Sequence, residues 1–425
     1  MLDRKFIVDN AEQVKQNCAH RGLKVDIDRY VELETLRKKR KAESDELNRR
    51  ANEVSKSIGK ASSPEEREAR KEEGRRLREQ TAALETELTE LEAQQTALAR
   101  TIPNMTHPDA PVGPPEASRE VARGKTPVPE FSFKPEDHVE IGQRLNLIDF
   151  EAGARVAGHG FYFLKNEAVL LELALQRYAL EVLLGEGFSP MITPDLARNE
   201  ILDGIGYIPR GPETQIYTIE NTDLSLIATA EITLGGWLAN QVIDVEQLPI
   251  KLCGVSHCFR TEAGAAGRAS RGLYRVHQFT KVEMFAYTRP EDSDAMLEYL
   301  RSLECRLFDG LGIAYRVIDT ATGDLGGPAY RKYDLEAWMP GRNEFGEVTS
   351  TSNCTDFQAR RLNIRYRVKG EKGNRFLHTL NGTAIAVSRA LLAVLENYQQ
   401  ADGTILVPEV LRTWVGKERI GAPIK

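Results

Sequence analysis

The stretch CFRTEAGAAGRASRGLYRVHQF, Cys258 to Phe279, followed closely by KVEMF, Lys281 to Phe285, decides how this chain is read. Its first residues are apolar and strand-like. Arg260 and Glu262 stand two apart, where strand alternation sends both side chains to one face. A Gly/Ala/Ser loop carrying Arg268 and Arg271 follows, and the chain returns through Arg275, His277 and Phe279 on a second apolar strand. Two antiparallel strands joined by a basic loop suit a polyphosphate, because arginines neutralise its charge and an aromatic ring can stack on a base. This would be a nucleotide site without a P-loop. An arginine-rich hairpin alone is more often a solvated hairpin, so a second segment matters. HTLNGTAIAVSRALLAVLENYQ, His378 to Gln399, leads through Gly382 and small residues into an apolar helix containing Arg389. A lone arginine in an apolar helical pattern is costly unless an anion meets it, either a ligand or a structural carboxylate.

Working outward, residues 136–425 mix apolar helices with short β-rich runs such as IAYRVI, Ile313 to Ile318. Neighbouring strands like GVSHCFRTE and KVEMFAYT predict an α+β domain with an antiparallel sheet flanked by helices. Residues 103–135 read as a linker, since Pro103, Pro108, Pro111, Pro114, Pro115, Pro127 and Pro129 forbid long helices.

Residues 1–102 form a separate N-terminal domain. A short helix follows the caps Asp9 and Asn10. From about residue 28 to 100 the chain predicts a helical hairpin. Leu33, Leu47 and Val54 share a heptad position in its first helix, and Leu77, Leu84, Leu91 and Leu98 recur at strict sevens in its second. Ser63, Pro64 and Glu66 predict the second helix start, with a capping box. The short turn between the helices requires them to run antiparallel as a coiled-coil arm. Between Asp28 and Arg100 there are 17 Lys/Arg and 17 Asp/Glu, so the hairpin is neutral overall. Arg37, Lys38, Lys39, Arg40 and Lys41 nevertheless form a basic cluster, which fits either a solvated face or RNA phosphate contact.

Across 425 residues the formal net charge is -6, which does not by itself point to a nucleic-acid partner. MLDRKFIVDN has no apolar signal core, and the most apolar helix, Ala168 to Leu184, is interrupted by Glu172, Arg177 and Glu181. The expectation is a cytoplasmic protein that does not engage a membrane. Five cysteines without a CxxC pair make neither a disulfide framework nor a zinc ribbon, and no zinc is expected although His257 adjoins Cys258.

Phe259-Arg260-Thr261-Glu262 with the later RVHQF resembles motif 2 of class II aminoacyl-tRNA synthetases, and the Gly382-to-Arg389 segment resembles motif 3. GFSPMITP, Gly187 to Pro194, resembles motif 1, whose role in that class is dimerisation. TAE at Thr229 to Glu231 and EVTSTSNCTDFQARR at Glu347 to Arg361 narrow the likeness to the bacterial type of the seryl enzymes. The resemblance implies activation of L-serine with ATP and Mg²⁺, transfer to tRNA(Ser) and to tRNA(Sec) where present, and a homodimer. It implies catalytic roles for Arg260, Glu262 and Arg389. Nucleotide contacts would come from Arg260, Thr261, Glu262, Val276, His277, Gln278, Phe279, Glu347, Val348, Thr349, Ser350 and Arg389, with Glu347 and Ser350 holding Mg²⁺. Serine contacts would come from Thr229, Ala230, Glu231, Arg260, Glu283, Asn381 and Thr383. One departure is Thr383, where bacterial members commonly have serine; a hydroxyl is kept. The arm cluster Arg37 to Lys41 would meet the tRNA. A non-catalytic relative would keep the ATP core but usually lacks the arm. A structural coiled-coil protein would leave both arginine segments unexplained.

Overall fold

The computed structural model describes residues 1–207, 215–262 and 271–422. Arg268 and the loop around it lie outside the described residues. The chain divides into two compact units, Met1–Met105 and Thr106–Lys425.

In the first unit, α1 (Arg4–Asp9) is capped by Asp3, whose carboxylate accepts from the amides of Lys5 and Phe6. α2 follows as Ala11–His20. Asn10 does not cap α2; its side-chain amide donates instead to the Phe6 carbonyl and closes α1. α3 (Ile27–Ser57, 31 residues) and α4 (Pro64–Thr101, 38 residues) form the hairpin. They run about 45 and 55 Å. Their contacts confirm an antiparallel pair: Glu34 meets Gln95, Arg40 meets Glu87, and Arg70 meets the Ser57 carbonyl. Ser63 caps α4 by accepting from the Glu66 amide at 3.1 Å, with Pro64 first in the helix. The capping box does not close, because the Glu66 carboxylate turns back to the Ser62 amide at 2.6 Å.

The seam of α4 alternates steps of three and four through Gly74, Leu77, Thr81, Leu84, Leu88, Leu91, Gln95 and Leu98, none of them exposed. The matching stripe on α3 runs through Tyr30, Leu33, Arg37, Arg40, Ser44, Leu47, Ala51 and Val54. Two members of the basic cluster therefore sit at the helix interface. The Arg37 guanidinium forks both oxygens of buried Glu34 at 2.9 Å, and Arg40 bridges Glu43 and Glu87 at 2.8 and 2.9 Å. Arg37 and Arg40 side chains are 18% and 32% exposed, against 64% and 58% for Lys38 and Lys41. A coil that spends charged side chains on its seam shows an imperfect heptad in the sequence for that reason.

The second unit is built on an eight-stranded sheet. Its strands are β1 (Arg119–Arg123), β2 (Ser189–Ile192), β3 (Ile250–Phe259), β4 (Gln278–Thr288), β5 (Tyr315–Asp319), β6 (Arg331–Met339), β7 (Glu344–Asn353) and β8 (His378–Ala386). Their order is β1-β5-β6-β7-β8-β4-β3-β2. All neighbours are antiparallel except β2 beside β3, which pair in parallel from Ser189 opposite Leu252. The proline-rich segment is not wholly a linker: β1 closes one sheet edge by pairing with β5. Helices α5 (Glu167–Gly185), α6 (Ala230–Gly236), α7 (Ser293–Gly310) and α8 (Val387–Asn397) surround the sheet. Alternation sorts its faces. Val282, Met284 and Ala286 of β4 enter the core shared with α5, α7 and α8, whereas Phe285 and Tyr287 enter a second core with α6. Among the described residues, no helix is long and apolar enough to cross a membrane. His257 is exposed and pairs with Asp195 at 2.8 Å, while Cys258 beside it is buried, as alternation requires.

Candidate active site

Strands β3, β4, β7 and β8 carry one cavity on the face away from the α5 core. It is lined by Arg260, Glu262, Phe279 and Arg389 of the two arginine segments with Glu347 and Ser350 of β7 at one part, and by Glu231, Glu283, Asn381 and Thr383 at another. Val276, Val348 and Thr349 also line it.

Strand alternation does not explain Arg260 and Glu262 as expected. β3 ends at Phe259, and Glu262 takes a left-handed φ of 50°. The two side chains converge through this turn and through partners: the Arg260 guanidinium lies 5.4 Å over the Phe279 ring, and Glu262 pairs with Arg275 at 3.0 Å. Arg275 and His277 likewise precede β4 rather than belong to it.

Glu347 and Ser350 are an odd number of residues apart, yet they face the same way. Across β6 and β7, Thr349 pairs with Leu335 and Glu347 with Glu336, leaving Val348 as a bulge. One extra residue flips the alternation and brings the carboxylate and the hydroxyl to the same face. Arg389, third in α8, reaches this point: it donates to the carbonyls of Tyr274 and Glu347 at 3.1 and 2.9 Å and lies 3.3 Å from the Glu347 carboxylate. Burial alone would raise the Glu347 carboxyl, but Arg389, Lys332 and Arg260 outweigh it and hold the group below its ordinary value. The cavity thus combines two guanidinium groups with a carboxylate kept ionised beside a hydroxyl.

At the other part, Thr383 sits directly opposite Glu283 across β8 and β4, and its hydroxyl donates to Glu283 Oε2 at 3.2 Å. Buried Glu231 Oε1 accepts from Gln358 and Asn381 at 2.8 and 2.9 Å. Burial, and then the Glu283 charge, push the Glu231 carboxyl up to about 7.

Several expected residues stand elsewhere. The Thr229 hydroxyl caps α6, accepting from the Glu231 amide at 3.1 Å, and Ala230 is buried in the core beside it. The His277 ring stacks on Phe161 at 5.3 Å, with its Nδ1 at the Arg260 carbonyl and the Tyr217 hydroxyl. Gln278 lines a separate groove with Phe161, Leu164 and Leu173, and the Thr261 amide donates to the Gln215 carbonyl. Conversely, Lys281, Tyr207 and Tyr274 line the cavity unforeseen. Lys281 was legible: it lies two residues from both Phe279 and Glu283, hence on their face. Tyr207 comes from distant sequence and carried no such signal.

Residues 1–106 match the model of the seryl-tRNA synthetase N-terminal domain, and residues 216–398 that of the tRNA synthetase class II core domain (G, H, P, S and T). A serine–tRNA ligase of Rhodopirellula baltica is 61% identical over 419 residues, covering 98% of each chain. One of Treponema denticola is 57% identical over 424 residues, 99% of this chain and 100% of the relative. The crystal structure of seryl-tRNA synthetase from Pyrococcus horikoshii complexed with ATP has a TM-score of 0.93 and 40% identity, covering 100% of both chains. With both domain models matched in order, and this similarity sustained along the chain, the protein belongs to the seryl-tRNA synthetases, a family of class II aminoacyl-tRNA synthetases.

Proposed function

We propose that this protein is a serine–tRNA ligase, which activates L-serine with ATP to seryl-adenylate and transfers the seryl group to the 3′ end of tRNA(Ser), and of tRNA(Sec) in a host that makes it. The observation that carries this reading is the single cavity that joins Arg260 and Arg389 to the acceptors Glu283, Glu231 and Thr383. A triphosphate needs the first set, and an amino acid with an ammonium and a hydroxyl needs the second.

In the first step a serine carboxylate oxygen bonds to the α-phosphorus and the bond to pyrophosphate breaks in line. No protein nucleophile is required; the work is orientation and charge neutralisation. Arg260 faces the α-phosphate and the serine carboxylate, Arg389 the far phosphate, Glu262 the adenine amino group, and Phe279 the base. Glu283 and Glu231 meet the ammonium, while Thr383 and Glu283 read the hydroxyl with Asn381 holding Glu231. Glu347 and Ser350 suit Mg²⁺, because the bulge presents two hard oxygen donors together and the neighbouring cations keep the carboxylate ionised. When bound, Mg²⁺ would neutralise phosphate charge.

The arm would meet tRNA through Lys38, Lys39 and Lys41, the exposed members of its basic cluster. A homodimer is supported by Val169, Leu170, Leu173 and Leu184, exposed on one stripe of α5, together with Ile192 of β2, which is 91% exposed. The reaction's substrates assign the protein to the cytoplasm. The test is ATP–pyrophosphate exchange with serine and Mg²⁺ but no tRNA: serine-dependent exchange is expected, and folded protein that gives none would be a non-catalytic relative.

A further inference from the structure

Alternation along β4 brings Phe279, Lys281 and Glu283 to the cavity face, and Lys281 is only 5% exposed. Its Nζ lies 2.6 Å from Glu283 Oε2, 2.7 Å from Thr229 Oγ1 and 3.4 Å from Thr383 Oγ1. An ammonium has three donors and no acceptor, so these partners use all of it. Lys281 therefore offers nothing to a ligand directly. Its effect is on what its partners can offer.

Thr383 accepts from Lys281 and donates its one hydrogen to Glu283 Oε2. With that hydrogen committed, the threonine has only a lone pair left for the cavity, and Glu283 has only its second oxygen. Both groups are acceptors. Remove the ammonium and the Thr383 hydroxyl loses the donor that fixes its orientation, so it can rotate away from Glu283, while Glu283 loses the cation bonded to its Oε2.

We propose, on the functional reading above, that Lys281 is a positioning residue for substrate selection: it locks Thr383 and Glu283 as paired acceptors for one hydroxyl hydrogen, so that serine is held and alanine is not. A pocket whose buried acceptors need that hydrogen penalises the substrate lacking it.

The experiment compares full-length wild type with Lys281→Met in tRNA-free pyrophosphate exchange, using serine and then alanine at saturating ATP. The KM for serine should rise about a hundredfold, since one partner of a buried charge pair is lost. The KM for ATP should stay near wild type, and the serine-over-alanine ratio of kcat/KM should fall at least about tenfold. The double variant Lys281→Met/Glu283→Gln leaves neither charge unpaired and covers the case in which the single variant fails to fold. Its melting temperature should recover, and its discrimination should be no lower than that of Glu283→Gln alone, because Lys281 acts through Glu283. An unchanged serine-over-alanine ratio in Lys281→Met, or a double variant that discriminates less than Glu283→Gln alone, would overturn the proposal and reduce Lys281 to a packing role. Wild-type protein without serine-dependent exchange would instead sink the functional reading, and this proposal with it.

Discussion

Burial pushes the Glu231 carboxyl up to about 7, the Glu283 charge adds to the shift, and Gln358, Lys281 and Arg260 oppose it. A carboxyl raised in the folded state holds its proton longer than in the unfolded chain, so ionising it costs stability as pH climbs from its ordinary 4.5 toward 7. A serine ammonium favours the ionised form. Serine binding at about pH 6 should therefore release a fraction of a proton, and affinity should rise with pH up to about 7 before levelling. Calorimetry in two buffers of different ionisation enthalpy measures that release, and Glu231→Gln should abolish it. On the proposed function Arg260 neutralises charge that grows during the reaction, so Arg260→Ala should slow tRNA-free exchange by about 10³. Thr383→Val preserves shape but deletes the hydroxyl, and should lower serine-over-alanine discrimination. A uniform loss of activity at unchanged ratio would make Thr383 a packing residue.

Within the arm, the polar group at the helix interface has its own pH signature. Burial opposes ionisation of Glu34, but the Arg37 fork and the Gln95 amide outweigh it and hold the carboxyl at about 2. A depressed carboxyl stabilises the fold above its unfolded value and loses that contribution as pH falls toward 2. Glu34→Gln should therefore cost about 3 kcal/mol at neutral pH and little once the pH falls below about 2, an order-of-magnitude figure from the shift. Hydrogen exchange of α3 and α4 amides in the full-length protein reports it. The basic cluster divides on the same grounds. Arg37→Gln with Arg40→Gln should loosen the hairpin, whereas neutralising Lys38, Lys39 and Lys41 should leave it intact, raise the KM for tRNA and flatten its salt dependence by about one logarithmic unit per lost contact. Equal tRNA effects from both sets would show that the interface arginines also reach the phosphates.

The two compact units set the molecule-scale experiment. Replacing residues 28–100 with a short Gly/Ser linker should leave serine activation largely intact while aminoacylation collapses, with size exclusion and melting as controls. Unimpaired charging at low tRNA concentration would assign the heptads to another partner. Leu173→Asp with Ile192→Glu should yield monomers in analytical ultracentrifugation if a second copy covers the apolar stripe of α5. The sequence by itself determined what depends on local spacing and residue chemistry: the heptads of α4, the start of that helix at Ser63, the strands β3 and β4, and the arginines on either side of the nucleotide reading. Tertiary structure alone decided the rest. The partner of a buried group is chosen by register between distant strands, as Thr383 opposite Glu283 and the Val348 bulge show. The arm's arginines look like surface charge until the opposing helix supplies Glu87 for Arg40 and Gln95 for the buried Glu34 that Arg37 forks. Lys281 reads as an ordinary strand residue until three separate segments bring its acceptors to a single ammonium. Periodicity shows which face a side chain takes, but the identity of what waits there is fixed by chain crossings that no single segment encodes.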